Sequence, residues 1–323
     1  MAVGPVTGGA LVAGFGWRSL FWINAPVVVA ALVLSAVFVP ESRAPRARRL
    51  DVPGQVLLTV VIAVWIGVLI EGPRIGWTAP AAFGAYATGA VATLGFVWVE
   101  SRRSEPLIDP RLFRGRSFSG AAVGATAVFV ALNVTLLLNT LYLQHGRGYS
   151  ALAAGTVTLP MAVGATVCAP WSGRLVGRVG PRLPLIVGAV FITSGGLCLT
   201  GIEQHTSLLL LLLASLLIGV GFGFANAPLT NTAVSGLPPA RAGVAGAITS
   251  TARQFGAALG IALAGAFVSG TEPAGLARAS RPGWLLVAAC GLPLLTAALT
   301  TGGRPGATGS TAPRTGPGRG YED

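Results

Sequence analysis

Residues 207–230 read SLLLLLLASLLIGVGFGFANAPLT, a run of 24 residues without a charged side chain. About 20 apolar residues in a helix cross a hydrocarbon layer ~30 Å thick, so this run is long enough to span a membrane. Similar runs recur along the chain and predict an all-α polytopic membrane protein. We predict one short and nine full segments, at about residues 1–14, 19–39, 54–70, 80–99, 119–142, 151–172, 183–202, 207–230, 243–268 and 283–302.

The composition of the 323-residue chain favours the same class. Apolar residues make up 53% and charged residues only 10%, with a mean hydropathy of +0.72. Soluble domains carry about a quarter charged residues, so a cytosolic enzyme is excluded. Cys168, Cys198 and Cys290 lie in apolar runs without a second thiol or a histidine at ligand spacing, which predicts small buried residues. We therefore expect no metal and no cofactor.

All 22 basic residues are arginines, and the net charge is +12. In a soluble protein this charge favours nucleic-acid binding, but here the arginines are spread over short loops, so we predict no nucleic-acid partner. One set of alternate loops and the tail hold 17 of them: Arg43, Arg46, Arg48, Arg49, Arg102, Arg103, Arg111, Arg114, Arg116, Arg174, Arg178, Arg182, Arg241, Arg253, Arg304, Arg314 and Arg319. The other loops hold five: Arg18, Arg74, Arg147, Arg278 and Arg281.

Positive charge stays on the cytoplasmic side during membrane insertion. The uneven distribution of arginines therefore predicts a protein of the plasma membrane with a cytoplasmic C-terminus. Residues 303–323 are of low complexity, and we predict a disordered cytoplasmic tail there.

Polar residues within the predicted spans form three groups. Thr135, Asn139 and Tyr142 follow the spacing i, i+4, i+7 and share one helix face. Asn226 and Thr230 share another face beside Pro228, which we expect to interrupt the helix. Arg253 and Gln254, with Ser250, share a third face. Polar side chains within a membrane face partners or a wet cavity, so these residues are candidates for a substrate cavity.

Two features have a plainer alternative. Hydrogen bonds between helices explain the polar groups as well, and Arg253 lies close enough to the cytoplasmic end to reach the interface. Gly219, Gly221 and Gly223 have the letters of a dinucleotide fingerprint, but they lie inside an apolar span without a preceding strand. Helix packing is therefore the favoured interpretation of these glycines.

The segment Gly4-Pro5-Val6-Thr7-Gly8-Gly9, followed by residues 17–26 (WRSLFWINAP), resembles the antiporter motif of the major facilitator superfamily and the loop after it. The closest likeness is to the drug:proton antiporters with fourteen spans. Residues 142–150 resemble the turn between the ninth and tenth spans, and residues 226–256 resemble the twelfth and thirteenth spans. The resemblance implies that the ten segments are spans five to fourteen, that spans one to four are missing, and that the chain begins inside a helix.

This resemblance implies a domain plan and a function. Residues 1–39 would be the last two spans of the N-terminal half, and 40–116 a cytoplasmic loop with a linker helix pair and a following loop. Residues 117–302 would be the C-terminal six-helix half. The implied function is proton-driven export of amphiphilic drugs or metabolites by alternating access in the full-length form. The alternatives are an inactive truncated fragment and, less favoured without a paired-acid motif before Glu322-Asp323, a membrane enzyme of lipid-linked substrates.

The resemblance also assigns two gates. In the family, the residues matching Gly4, Pro5, Gly8 and Gly9 are associated with sealing an outward gate; general small-residue packing is the alternative. Residues 173–182 resemble the cytoplasmic gating motif of the C-terminal half, although Gly177 stands where the family usually has an acid. A positively charged cytoplasmic loop is the alternative there. The gate residues are Gly173, Arg174, Arg178, Gly180 and Arg182.

The acidic residues argue against proton coupling within this chain alone. A proton relay requires a carboxylate or histidine deep in the membrane. The acids of this sequence lie in loops, at span ends or in the tail. Glu71 is the nearest candidate, and its position at the edge of a loop is the better interpretation.

Overall fold

The computed structural model describes residues 4–39, 51–103, 110–234 and 239–301, and within these ranges every regular element is helical. The α-helices are α1 Gly4–Phe15, α2 Ser19–Trp22, α3 Asn24–Phe38, α4 Val52–Ile75, α5 Pro80–Arg102, α6 Arg116–Leu141, α7 Ala151–Val157, α8 Leu159–Val179, α9 Arg182–Leu199, α10 Leu208–Val234, α11 Pro239–Val268, α12 Leu276–Ala279, α13 Arg281–Ala289 and α14 Gly291–Thr300. A π-helical segment, Tyr142–Gly146, extends α6, and two 3₁₀ turns cover Pro110–Arg114 and Pro273–Gly275.

Nine stretches of the described residues are long and apolar enough to cross a membrane. They are Ser19–Phe38, Val52–Ile75, Pro80–Arg102, Arg116–Gly146, Ala151–Val179, Arg182–Leu199, Leu208–Ala233, Gly243–Val268 and Pro273–Thr300. Each matches one of the nine full segments expected from the sequence, and the 12-residue α1 matches the short one. The prediction of an all-α membrane protein is confirmed.

The packed core lies in the helices from α6 to α14. Helix α10 packs against α8, α9 and α6, while α6 pairs with α11 and α14. The largest fully buried side chains of this core include Tyr142, Ile192 and Trp284. By contrast, the apolar side chains of α3 are exposed, so this helix presents its surface to the lipid or to further protein.

Glycines let α10 lie directly on two neighbouring helices. A Cβ atom on Gly223 would stand 2.7 Å from the carbonyl oxygen of Ala165 in α8, and Gly219 lies equally tightly against the backbone of Met161. On the other side, a Cβ atom on Gly221 would stand 2.8 Å from the carbonyl oxygen of Gly188 in α9. The packing interpretation of these three glycines is confirmed.

The expected break at Pro228 is wrong, because α10 continues through this residue to Val234. Proline has no N–H group, so the carbonyl of Phe224, four residues earlier, loses its partner within the helix. The buried hydroxyl of Ser172 in α8 donates to this carbonyl oxygen at 2.8 Å. A neighbouring helix thus satisfies the acceptor that proline leaves free, and the helix does not have to end.

Helices α4 and α5 form a hairpin, which packs on the bundle through α4 and α11. Gly76 closes α4 with a φ of +93°, a conformation that L side chains rarely adopt. The division of the chain into N-terminal remnant, linker pair and C-terminal half stays a prediction. The predicted tail at 303–323 and the arginines of the loop before α4 lie outside the described residues.

The three cysteines do not share the buried environment expected for them. Cys290 is buried and Cys168 is half-buried, but Cys198 is exposed on the surface of α9. An apolar run fixes that a residue lies in a helix, but it does not fix which face of that helix meets a neighbour. The expectation was wrong for Cys198.

Candidate functional site

Gly9 brings α1 into direct backbone contact with the start of α7. A Cβ atom on Gly9 would lie 2.8 Å from the carbonyl oxygen of Ala151 and 2.9 Å from the Cα atom of Leu152. Gly9 is buried, whereas Gly4 is exposed and a Cβ atom there would meet nothing within 4 Å. A Cβ atom on Gly8 would make only an ordinary contact, 3.7 Å from Leu20 Cδ2. Of these three positions, only that of Gly9 is too close to a neighbouring helix for a larger residue. The side chain of Pro5 lies outside the described part of the structure.

A small cavity of about 280 Å³ opens beside this contact, between α1, α6, α7 and the start of α8. Its polar lining comes from Thr140, Gln144 and Thr158, and Gly8 and Gly9 form the opposite wall. The Thr140 hydroxyl donates to the carbonyl of Leu136 at 2.7 Å, which leaves its oxygen free to accept. Sequence reasoning missed these polar residues, although Thr140 and Gln144 lie within the same apolar run as Asn139.

Thr135, Asn139 and Tyr142 share one face of the α6 span, as the spacing implies, but that face is turned into the bundle. Thr135 is fully buried and donates to the carbonyl of Ala131 at 2.7 Å, and Asn139 and Tyr142 are buried as well. A role of these three residues in a substrate cavity stays a prediction. Periodicity identifies a polar face, but it does not say whether a neighbouring helix covers it.

Tyr142 instead ties the π-helical end of α6 to the loop between α9 and α10. Its hydroxyl donates to the carbonyl oxygen of Glu203 at 2.5 Å. Arg147 reinforces this link, because its guanidinium donates to the carbonyl of Thr206 at 3.0 Å and lies 5.8 Å from the Tyr142 ring centroid and 5.7 Å from that of Tyr149. Sequence reasoning counted Arg147 only as a loop charge.

The other two polar groups keep partial access. Asn226 and Thr230 are half-buried on α10, where the Thr230 hydroxyl donates to the carbonyl of Asn226 at 3.1 Å. On α11, Arg253 is half-buried and Gln254 is exposed. Among the residues that the structure describes, no hydrogen bond joins the α10 pair to the α11 pair. A role of these four residues in a substrate cavity stays a prediction.

The predicted cytoplasmic gate lies at the turn between α8 and α9. Gly180 ends α8 with a φ of +84°, and Arg182 begins α9. Arg174, Arg178 and Arg182 are exposed, and the Arg174 guanidinium lies 5.9 Å from the Trp171 ring centroid. In the described ranges none of the three arginines has a carboxylate within 4.0 Å. A Cβ atom on Gly173 would meet nothing within 4 Å, and the gating role of this turn stays a prediction.

Two carboxyl groups are buried together at the arginine-rich end of the α4–α5 hairpin, which sequence reasoning did not foresee. Asp51 caps α4 by accepting from the Gly54 N–H at 3.0 Å, and Arg103 Nη2 lies 3.5 Å from the same carboxylate. Glu100 is only 2% exposed, and a Cβ atom on Gly54 would collide with both carboxyl groups. The sequence signal was the acidic residue directly before Val52 and Pro53, which is typical of a helix N-cap.

Comparison with known proteins assigns the family. The model of the Major Facilitator Superfamily matches residues 1–261. The chain belongs to the major facilitator superfamily. It is 38% identical over 266 residues to the multidrug resistance protein Stp of Mycobacterium tuberculosis (strain H37Rv), covering 82% of this chain and 49% of the relative. It is also 34% identical over 269 residues to the tetracenomycin C resistance and export protein of Streptomyces glaucescens, covering 83% of this chain and 50% of the relative.

A third similar protein is the puromycin resistance protein pur8 of Streptomyces alboniger, which is 34% identical over 281 residues, 85% of this chain and 56% of the relative. This member of the superfamily thus spans about half the length of the curated relatives it matches. The family, together with the nine membrane-length apolar stretches of the described residues, establishes it as an integral membrane protein. The resemblance to drug-efflux members of the superfamily is confirmed.

Proposed function

We propose that this chain serves, as part of its full-length form, the export of amphiphilic small molecules across the plasma membrane, driven by the proton gradient. Its relatives are named for resistance to, or export of, antibiotics such as tetracenomycin C and puromycin. The proposed role is that of a carrier with alternating access and not that of an enzyme. Its partners are an amphiphilic substrate and the lipid bilayer, without a metal, cofactor or nucleic acid.

The close approach of Gly9 to Ala151 is the observation that carries this proposal. It brings the helix with the antiporter-type motif against the C-terminal bundle at the end away from the arginine-rich loops. Two helices that touch through backbone atoms leave no path between them, so this contact has the geometry of a seal. Opening such a seal requires only that α1 separates from α7, which fits the rocking of two halves.

The opposite end carries the proposed inner gate. There the exposed Arg174, Arg178 and Arg182 stand where pairing with the carbonyl ends or carboxylates of a neighbouring helix would close the path. The 17 to 5 distribution of arginines supports a cytoplasmic location of this end and of the C-terminus. We assign no coupling acid, because Glu71 and Glu100 both lie near the ends of their spans.

Export is tested in a bacterial host that lacks its main efflux pumps. The full-length form and the 323-residue chain, each with a C-terminal tag, are expressed separately, and the accumulation of puromycin and of a panel of hydrophobic antibiotics is measured. We expect less accumulation with the full-length form than with an empty vector, and we expect a protonophore to abolish the difference. The tag verifies equal amounts of protein in the membrane.

Equal accumulation with the full-length form and with the empty vector, at a verified level in the membrane, would contradict the proposal. Export by the full-length form and not by the 323-residue chain would favour an inactive fragment. If accumulation is lower but a protonophore does not change it, the result would contradict only the proposal that the proton gradient drives export. The same assay therefore separates the transport claim from the coupling claim.

A further inference from the structure

The α4–α5 hairpin encloses a groove that neither the bundle nor the proposed transport path uses. It has a volume of about 360 Å³ and lies between the halves of both helices nearest the hairpin turn. Small and apolar side chains line it, with Ala63, Gly67 and Val68 on α4 and Ala81 and Ala85 on α5. The groove is partly open and lined by the hairpin alone, and lipid surrounds an integral membrane protein at this depth.

The length of the groove matches one leaflet of a bilayer. On α4 its lining extends from Ala63 to Ile75, which is about 18 Å at 1.5 Å per residue. On α5 it extends from Ala81 to Thr88, about 10 Å. Half of a ~30 Å hydrocarbon core lies between these two values. An acyl chain that runs along the groove therefore fits from the interface to the middle of the membrane.

A pair of opposite charges stands at the interfacial end of the groove. Glu71 lines the groove, and its Oε2 atom lies 3.1 Å from Nη1 of Arg74, which remains largely exposed. The Trp77 ring lies against Gly72, the neighbour of Glu71, and Tyr86 lines the groove; the Tyr86 hydroxyl donates to the carbonyl of Trp77 at 3.0 Å. Tryptophan and tyrosine are enriched where membrane proteins meet the headgroup layer, which places this end of the groove among the lipid headgroups.

We propose that this groove binds a zwitterionic phospholipid of the phosphatidylethanolamine type. One acyl chain occupies the apolar groove, the phosphate accepts from the Arg74 guanidinium, and the ammonium donates to the Glu71 carboxylate. The neighbouring opposite charges of the headgroup complement those of the protein, whereas an anionic glycerol headgroup matches only Arg74. The occupant is thus a lipid, held on the hairpin independently of transport.

Gly67 offers a substitution that fills the groove without disturbing the fold. It lines the groove, and a Cβ atom there would meet nothing within 4 Å. Gly84 on α5 is the matched control, because it is exposed and its Cβ atom would also meet nothing, but it does not line the groove. The variants Gly67→Leu and Gly84→Leu therefore add the same side chain inside and outside the proposed site.

The test is native mass spectrometry of the purified full chain after incubation with equal amounts of phosphatidylethanolamine and phosphatidylglycerol. We expect a bound phosphatidylethanolamine on the unchanged chain and on Gly84→Leu, and about tenfold less on Gly67→Leu, because an overfilled site excludes the chain. In Glu71→Gln the preference for phosphatidylethanolamine over phosphatidylglycerol falls by up to about fivefold, the range of an exposed ion pair.

Three results would overturn the proposal. They are no retained lipid on the unchanged chain, equal loss in the two leucine variants, and a lipid preference that Glu71→Gln leaves as it was. Because the measurement reads lipid and not transport, failure of this site leaves the proposed export untouched. Absence of export likewise leaves the lipid result standing.

Discussion

Gly9 is the glycine of the antiporter-type motif that packs against the backbone of another helix. Of the motif glycines Gly4, Gly8 and Gly9, only Gly9 stands within 3 Å of another helix's backbone when a Cβ atom is added. Gly4 and Gly8 have room for a methyl group. The structure thus assigns the contact between α1 and α7 to Gly9, and it offers controls within the same motif.

We expect Gly9→Val to separate α1 from α7 and to reduce export, because overfilled contacts cost about 1–3 kcal/mol. Gly8→Ala, with its nearest contact at 3.7 Å, should leave export near the level of the unchanged chain. The accumulation assay described above measures both variants at matched expression. Equal export by Gly9→Val and Gly8→Ala would show that the contact has no part in transport.

The Ser172 hydroxyl replaces the backbone hydrogen bond that Pro228 removes from α10. The contribution of this hydrogen bond to stability can be measured. Ser172→Ala leaves the carbonyl of Phe224 without its partner and should lower stability by about 1 kcal/mol. Pro228→Ala restores an N–H group four residues after Phe224, so Ser172→Ala should cost less in that background. Unfolding of the four variants in detergent completes the double-mutant cycle. Additive effects would contradict the account.

The sequence shows where such residues lie in the chain but not what they touch. The antiporter motif and the polar groups could be recognised in the sequence. The partners of Ser172 and Arg147, in contrast, come from a helix and a loop that lie 52 and 59 residues away. The inward turn of Thr135, Asn139 and Tyr142 has the same cause. Which face of a helix is covered depends on the order in which the helices pack, and no local pattern contains that order.

At the scale of elements, α10 is the helix most tightly held by its neighbours. Its glycines alternate between contact with α8 and contact with α9, so it fits between them with almost no side-chain volume at the contacts. In a membrane, where lipid removes the hydrophobic force between helices, such close packing supplies much of the association energy. The close packing of α10 between α8 and α9 therefore fixes how these three helices are arranged in the bundle.

We expect Gly219→Ala to lower the stability of the bundle by about 1–3 kcal/mol, because its methyl group would overlap the backbone of Met161. Gly177→Ala in α8 is the control, since a Cβ atom there would meet nothing, and it should gain up to about 1 kcal/mol from helix propensity. Denaturation followed by circular dichroism in detergent compares the two. If the Gly219→Ala protein were as stable as the unchanged chain, the close packing of α10 against α8 would not contribute to stability as proposed.

The elements themselves were largely predictable, because length and hydropathy decide whether a helix crosses a membrane. All nine membrane-length stretches found among the described residues were expected from the apolar runs. The continuation of α10 through Pro228 was not, since it depends on a hydroxyl from α8. The burial of Glu100 beside Asp51 also follows from the closing of the hairpin and not from its sequence.

At the scale of the whole molecule, the distribution of arginines predicts the orientation of the bundle in the membrane. The turn between α4 and α5 would face the outside and the segment before α6 the cytoplasm. In a chain whose native cysteines are replaced by alanine, we expect Thr78→Cys to react with an impermeant maleimide in intact cells. Arg114→Cys should react only after permeabilisation; both positions are exposed. The reverse pattern would contradict the orientation.

The central proposal is that the full-length form of this chain is a proton-driven carrier of small amphiphilic molecules. The most direct test is the uptake of puromycin by proteoliposomes that contain only the purified full-length form, with a proton gradient imposed across their membrane. The account predicts accumulation that disappears when a protonophore collapses the gradient and that Gly9→Val reduces more than Gly8→Ala. Uptake no greater than in protein-free liposomes, from a correctly folded chain, would contradict it.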